Sequence, residues 1–213
     1  RANNIEVKAT GTFCKVYRGD EEMFDLNLQL VGRENVSNAL AAIAVGTILR
    51  LQPEGMKNAL ENFKGVHRRL ERVGYFNDIL VYDDYAHHPT EISVTLKTLK
   101  EAFPQRRLVC AFQPHRYTRT KLLYKELAES LKEADILLIT DIYPAGEEPL
   151  ANVSSHLIIE ALKGMGKEAI YFKELEAVPD YLLKLATPGD IIITAGAGNI
   201  NRVAYDVLKK GNA

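Results

Sequence analysis

A dominant charge is the first thing this chain of 213 residues lacks. Its 27 Lys and Arg face 28 Asp and Glu, for a formal charge of −1. Such a balance gives no global basic field to draw nucleic acid. No apolar run approaches the roughly 20 residues that a membrane helix needs, so no membrane insertion is expected. Arg1-Ala2-Asn3-Asn4 leads into alternating residues and not an apolar stretch, so no signal peptide is expected. Cysteine is scarce. Cys14 and Cys110 fall in different predicted strands without CxxC spacing. They read as buried thiols in a reducing compartment, which makes a cytoplasmic location the expectation and leaves no disulfide or metal site. HExxH spacing and a Ser-His-Asp ordering are absent too. So is a GxxxxGK loop ending in Ser or Thr, and a phosphate-handling reaction would need that part from elsewhere. The chain opens into a strand-like run with no initiator Met, and it is expected to be a portion of something longer.

What is present is an ordinary soluble composition, 46% hydrophobic and 26% charged, enough for one large or two small domains. Residues 4–30 hold three β-like runs, at 5–9, 13–17 and 23–30. Phe24, Leu26, Leu28 and Leu30 share a face of the third, so this piece reads as antiparallel. An Ala-rich segment, 35–50, follows as a buried helix with Val36, Leu40, Ile43, Val45 and Leu49 on its apolar side. Pro53 starts a second helix reaching residue 63. A domain boundary is placed at about residue 66, giving domains 1–65 and 66–213.

Beyond it the pattern is α/β. Strands are predicted at 70–76, 79–83, 107–112, 135–140, 168–172 and 190–195, and helices at 90–102, 119–133, 153–164, 175–186 and 200–210. The alternation predicts a mostly parallel sheet covered on both faces. Only Asn77-Asp78 separates the first two strands, which predicts one antiparallel edge hairpin.

The candidate chemistry lies where predicted strands hand over to helices, the edge at which open α/β sheets bind ligands. Asp83-Asp84-Tyr85-Ala86-His87-His88-Pro89 puts two carboxylates, a phenol and two imidazoles after one strand. Gln113-Pro114-His115-Arg116-Tyr117-Thr118-Arg119-Thr120 follows another. There Arg116 and Arg119, three apart on a forming helix, read as an anion trap aided by free N–H groups. Asp141, Tyr143, Glu147 and Glu148 lie in an acidic loop that reads as a rim. Gly196-Ala197-Gly198 ends the last strand and lets a ligand approach the backbone, although a tight turn alone also explains the glycines. It is not a GxGxxG dinucleotide motif.

The two long motifs, with the 141–147 loop, Gly196-Ala197-Gly198 and Phe63-Lys64-Gly65-Val66-His67-Arg68-Arg69, resemble the Mur ligase family from about residue 32 to the C-terminus. The resemblance implies a C-terminal, Rossmann-like amino-acid domain of that type, preceded by the β/α tail of a central ATP-binding domain. It implies an enzyme of three domains in which ATP, with Mg²⁺, phosphorylates a carboxylate and an amine displaces the phosphate. Within the family it implies the branch that joins UDP-N-acetylmuramate to L-alanine in bacterial cell-wall synthesis. A sibling that attaches a whole tripeptide is the nearest rival, and a non-catalytic nucleotide- or acid-binding module is the second. Carried over residue by residue, Asn35 and Asn38 match an adenine-side motif, with Glu34 where the family has His. Arg69 matches an arginine near the phosphates, and Asp84 and Tyr85 match residues closing over the nucleotide. His87 matches a position at the reaction centre. His115, Arg116 and Arg119 surround the incoming amino acid and acyl phosphate, and Gly196, Ala197 and Gly198 lie near the amino acid's carboxylate. A neutral His87 could serve the attacking amine as base or as orienter.

Overall fold

The structure is a computed structural model describing residues 1–212. It divides into two compact units. One is Arg1–Val66 with Thr98–Pro104; the other is His67–Lys97 with the chain from Gln105 on.

The first unit holds an antiparallel sheet of β1 (Ala2–Lys8), β2 (Gly11–Arg18) and β3 (Glu21–Leu28), in that order. Alternation sends Cys14, Val16, Leu26 and Leu28 to one face. They form a core with Val36, Ala39 and Ile43 of α1 (Arg33–Ile48) and Met56 of α2 (Pro53–Glu61). Gly46 lets the two helices close, since a Cβ there would lie 2.4 Å from the Met56 sulfur. The apolar side expected for α1 is corrected at two positions: Val45 is 58% and Leu49 65% exposed. The buried stripe passes through Val36, Ala39, Ile43 and Gly46. Val45 lies about 200° round the helix from Ile43, facing away from it.

The second unit is a six-stranded sheet ordered β4-β5-β9-β6-β7-β8. Its strands are β4 (Glu71–Phe76), β5 (Ile79–Asp84), β6 (Leu108–Phe112), β7 (Ile136–Thr140), β8 (Ile170–Phe172) and β9 (Ile191–Ala195). Only β4 runs antiparallel to its neighbour. Asn77 and Asp78 both have positive φ, 45° and 59°, as a two-residue type I′ turn demands. Between strands come α3 (Pro89–Ala102), α4 (Tyr117–Leu131), α5 (His156–Gly164), α6 (Val178–Leu185) and, last, α7 (Asn201–Gly211). Val81, Val109, Ala111, Leu138 and Ile192 pack with Val178 and Leu182 of α6 and Val203, Ala204 and Val207 of α7. The alternate residues, among them Tyr82, Cys110, Phe112, Ile139 and Ile193, are buried as well, so both faces are covered. The segment expected as one helix over 175–186 is a 3-10 turn, Leu175–Ala177, followed by α6, with Pro179 in its first turn. Among the described residues no helix is long and apolar enough to cross a membrane.

The insertion of β9 between β5 and β6 positions everything that follows. Asp84 pairs with Ala195, and Ala195 with Phe112. The ends of three strands are therefore level, and the loops after them meet on one edge.

Candidate functional site

The two carboxylates that end β5 face inward. Asp83 is fully buried and accepts from Thr194 Oγ1 at 2.6 Å and Arg68 Nε at 3.0 Å. Asp84 accepts from the Ala86 N–H at 2.8 Å, Thr95 Oγ1 at 2.9 Å and the Leu70 N–H at 3.0 Å. Burial raises the pKa of both above the usual Asp value, against those hydrogen bonds. Asp84, expected at the nucleotide, thus has its carboxylate engaged within the protein, where it fixes the 85–88 loop. Among the described residues no three His, Cys, Asp or Glu side chains stand where they could share a metal ion. These residues do not fit a Mg²⁺ site.

Glu91, at the start of α3, accepts the His87 N–H at 3.0 Å and the His88 N–H at 3.1 Å, much as in a capping box. Burial opposes its ionisation, but those N–H groups prevail and hold it below the usual Glu value. The loop is thereby set, and His87 Nδ1 lies 2.9 Å from the Tyr85 carbonyl. A carbonyl only accepts, so Nδ1 carries a proton, and when the ring is neutral Nε2 holds the lone pair. His115 shows the reverse. Arg119 Nη1 lies 3.0 Å from its Nδ1, and a guanidinium only donates. His115 Nδ1 is therefore the acceptor, and its proton sits on Nε2. Burial, then the positive fields of Arg119, His87 and Arg116, push its pKa down to about 4. It is neutral at pH 7.

The rings form a row along the edge. Tyr85 meets His87 at 5.4 Å, His87 meets His115 at 5.7 Å, and His115 stacks on Tyr143 at 5.7 Å and 11°. The guanidiniums of Arg68 and Arg69 lie 5.0 and 5.7 Å from the Tyr85 ring.

Two expectations about the arginine turn are corrected. Arg116 precedes α4 with φ 73°, so helical spacing does not put it on a face with Arg119. Nor is the start of α4 wholly free: Glu147 accepts the Thr118 N–H at 3.0 Å and the Thr118 hydroxyl at 2.5 Å. The Arg116 side chain is exposed, and Arg119 is anchored on His115. The glycines too are explained differently. A Cβ on Gly196 would lie 2.8 Å from the Gln113 carbonyl oxygen. One on Gly198 would lie 2.4 Å from Gln113 Oε1 and 2.6 Å from Tyr143 Cγ. The protein's own packing is reason enough for both glycines.

The second unit thus brings together Arg69, Asp84, Tyr85, His87, His115, Arg116, Arg119 and the 196–198 turn. Asn35 and Asn38 belong to the first unit. There Asn35 Nδ2 donates to the Val31 carbonyl at 3.0 Å and Asn38, one turn on, is exposed. Sequence reasoning missed Gln113, which donates to Asn199 Oδ1 at 2.9 Å and accepts the Ile200 N–H at 3.2 Å, locking the glycine turn. It also missed Arg68. An uncharged amide and the first of two adjacent arginines carry no pattern that marks them.

The model of the family described as Mur ligase, glutamate ligase domain, matches residues 68–198. The UDP-N-acetylmuramate–L-alanine ligase of Desulfatibacillum aliphaticivorans is 46% identical over 209 residues, covering 98% of this chain and 46% of that protein. The crystal structure of UDP-N-acetylmuramate-alanine ligase from Thermotoga maritima superposes with a TM-score of 0.83 at 30% identity, covering 99% of this chain and 45% of that one. A murein peptide ligase from Psychrobacter arcticus gives 0.68 at 28% identity, covering 100% and 44%. The chain spans less than half the length of the curated relatives it matches. With the family model covering well over half of its residues, the chain belongs to the Mur ligase family.

Proposed function

We propose that this chain is the amino-acid-handling part of a bacterial, cytoplasmic, ATP-dependent ligase that joins L-alanine to UDP-N-acetylmuramate in peptidoglycan precursor synthesis. The name shared by relatives at 40–46% identity supports the substrates. Residues 66–213 are read as the amino-acid domain, and 1–65 as the tail of a central ATP-binding domain whose Asn35 and Asn38 serve the adenine side. A phosphate loop and the holders of Mg²⁺ are assigned to other parts of the enzyme.

The observation that carries the reading is the pair of adjacent imidazoles beside Arg119, one with Nδ1 against a carbonyl and the other with Nδ1 against a guanidinium. Transfer of phosphate from ATP to the lactyl carboxylate gives an acyl phosphate. The alanine amine then attacks the acyl carbon, nitrogen loses a proton and phosphate leaves. A neutral His87 would have the lone pair at Nε2 to receive that proton. His115, neutral with N–H at Nε2, offers a donor to an oxygen that gains charge, and Arg116 and Arg119 add fixed positive charge. Tyr85 and Arg69 are read as nucleotide contacts. Holding amine and acyl phosphate together supplies the remaining advantage.

The test is phosphate release by the full-length protein with ATP and UDP-N-acetylmuramate. L-alanine should start it, and the tripeptide should not. Release with the tripeptide alone would transfer the chain to the sibling enzyme. Nucleotide binding without release, whichever amine is offered, would make it a binding module.

A further inference from the structure

Arg68 touches more of this edge than any of the residues singled out from sequence. Its side chain is 15% exposed and every part of it is engaged. Nε donates to Asp83 Oδ2 at 3.0 Å, Nη1 to the Gly198 carbonyl at 3.1 Å and Nη2 to the Gly196 carbonyl at 2.5 Å. The plane lies 5.0 Å from the Tyr85 ring. Its backbone is tied as well: the carbonyl accepts the Tyr85 N–H at 2.8 Å, and the N–H donates to Glu71 Oε2 at 2.8 Å. All this is held at φ 58°, which a side chain of this size seldom adopts. One guanidinium therefore joins the turn before β4, the end of β5 and the turn after β9.

The consequence lies on the far side of the glycine turn. In a planar trans peptide the C=O and the next N–H point in opposite directions. With the carbonyls of Gly196 and Gly198 drawn to Arg68, the N–H groups of Ala197 and Asn199 are turned away from it. The N–H groups flanking the 197–199 stretch are taken: Gly196 donates to the Asp84 carbonyl at 3.1 Å, and Ile200 to Gln113 Oε1. Ala197 and Asn199, both part-exposed, find no acceptor for theirs among the described residues. Two N–H groups two residues apart, both turned to the same side, can be aimed at one anionic oxygen.

We propose that Arg68 is a positioning residue that sets the direction of the Ala197 and Asn199 N–H groups, which then receive an anionic oxygen of the amino-acid substrate. This rests on the ligase reading above. Arg68 touches no reacting atom; it acts through the two peptide planes. Only a planar, forked cation can hold two carbonyls and a carboxylate together, and a lysine ammonium in the same place reaches fewer of them.

The experiment uses the full-length protein with Arg68→Lys, and with the double variant Arg68→Met/Asp83→Asn, which removes the buried charge pair as a unit. Arg68→Lys keeps the charge opposite Asp83, so it should melt within a few degrees of the parent. KM for L-alanine should rise at least tenfold. KM for ATP should change less than threefold, because Tyr85 keeps Arg69 over its ring and its backbone bond to residue 68. The double variant should show the same raised KM for L-alanine. A folded variant with the parent's KM for L-alanine would overturn the proposal, as would KM values for alanine and ATP that rise together. Should the parent use another amine, the ligase reading is at fault, and the same comparison with that amine still decides the role of Arg68. A crystal structure of Arg68→Lys with the Gly196 and Gly198 carbonyls unmoved would refute it for any substrate.

Discussion

Two arginine–aspartate pairs close opposite ends of the same sheet, and they are built differently. At the amino edge, Arg107 grips Asp190 with two nitrogens, Nε to Oδ1 at 2.9 Å and Nη2 to Oδ2 at 2.6 Å. At the carboxyl edge, Arg68 meets Asp83 with Nε alone and gives its other nitrogens to backbone carbonyls. The titration follows the geometry. Burial opposes ionisation of Asp190, but Arg107 and the Thr187 N–H prevail, and its pKa falls below the usual Asp value. At Asp83 burial prevails over Thr194 and Arg68, and the pKa rises. One pair holds strands together; the other gives up part of that hold to shape a loop. The amino edge is built for stability and the carboxyl edge for placing groups.

The widest separation between the edges should come from His87→Ala set against Arg107→Ala in the full-length protein. Loss of a proton acceptor costs on the order of 10²–10⁴ in kcat. The His87 variant should lose kcat on that scale, with little change in KM for alanine and an unchanged melting temperature. Arg107→Ala should do the opposite. It leaves Asp190 with its Thr187 partners, and solvent already reaches Arg107, whose side chain is 38% exposed. Its cost in stability is about 1–2 kcal/mol, with kcat untouched. Rate assays beside melting curves check both, and a loss of kcat in Arg107→Ala would break the division.

Arg119→Lys sharpens it. The charge stays and the planar fork is lost, at a cost of roughly 1–3 kcal/mol wherever the fork makes a two-point contact. If the contact is to the alanine carboxylate, KM for alanine rises and kcat holds; if to the acyl phosphate as charge develops, kcat falls. Unchanged kcat/KM for alanine in Arg116→Ala and Arg119→Ala alike would leave the arginine turn merely solvated.

Glycines divide the edges in the same way. Gly198→Ala, at the carboxyl edge, drives a methyl to 2.4 Å from Gln113 Oε1 and 2.6 Å from the Tyr143 ring. Overpacking of that kind costs roughly 1–3 kcal/mol. It should also disturb the stack of Tyr143 on His115, lowering kcat/KM. Gly189, before β9 at the amino edge, has φ 95° and open space around the added carbon. Gly189→Ala should therefore cost only backbone strain, about 1–2 kcal/mol, with activity intact. Urea unfolding beside kinetics separates the two, and equal activity losses would remove the distinction.

What was legible in the sequence was whatever depends on neighbours along the chain. Ile191-Ile192-Ile193 reads as a strand buried on both faces, Asn77-Asp78 as a hairpin turn, and Pro89 and Pro53 as helix starts, all as observed. The convergence of three clusters on one edge was legible as well, because parallel strands bring their carboxyl ends together. What escaped depends on partners far along the chain. Of Arg68 and Arg69, the sequence does not say which turns inward; the choice is made by a left-handed residue and by carbonyls 128 and 130 positions away. The glycines were legible as a turn, but the side chains that forbid a Cβ come from the loops after β6 and β7. Arg116 was read into a helix that its own φ keeps it out of.

Mild acid should produce the smallest of these effects, and it should fall on one edge. His115 has its pKa lowered from 6.5 to about 4, so the folded state resists the proton that the unfolded state takes. The stability it contributes is complete above pH 6.5 and is lost as pH falls from there toward 4. Solvent reaches part of the ring, so the loss is about 1–2 kcal/mol. Asp83 and Asp84 work with the opposite sign. Their folded pKa values are raised, so their ionisation weakens the fold at neutral pH, and that burden lifts as pH falls through those values toward 3.8. Asp190 is different again: its pKa is lowered, so its stability is complete above 3.8 and is lost only below that. Below pH 6.5, then, the amino edge is silent down to 3.8, and at the carboxyl edge it is His115, not Asp83 or Asp84, whose contribution falls with pH. His115→Asn should flatten the urea midpoint against pH across that window, whereas Arg107→Ala should lower the curve without changing its slope. A His115→Asn protein that keeps the parent's slope would show that the imidazole is not held neutral by its surroundings, and the tautomer assigned to it would fall as well.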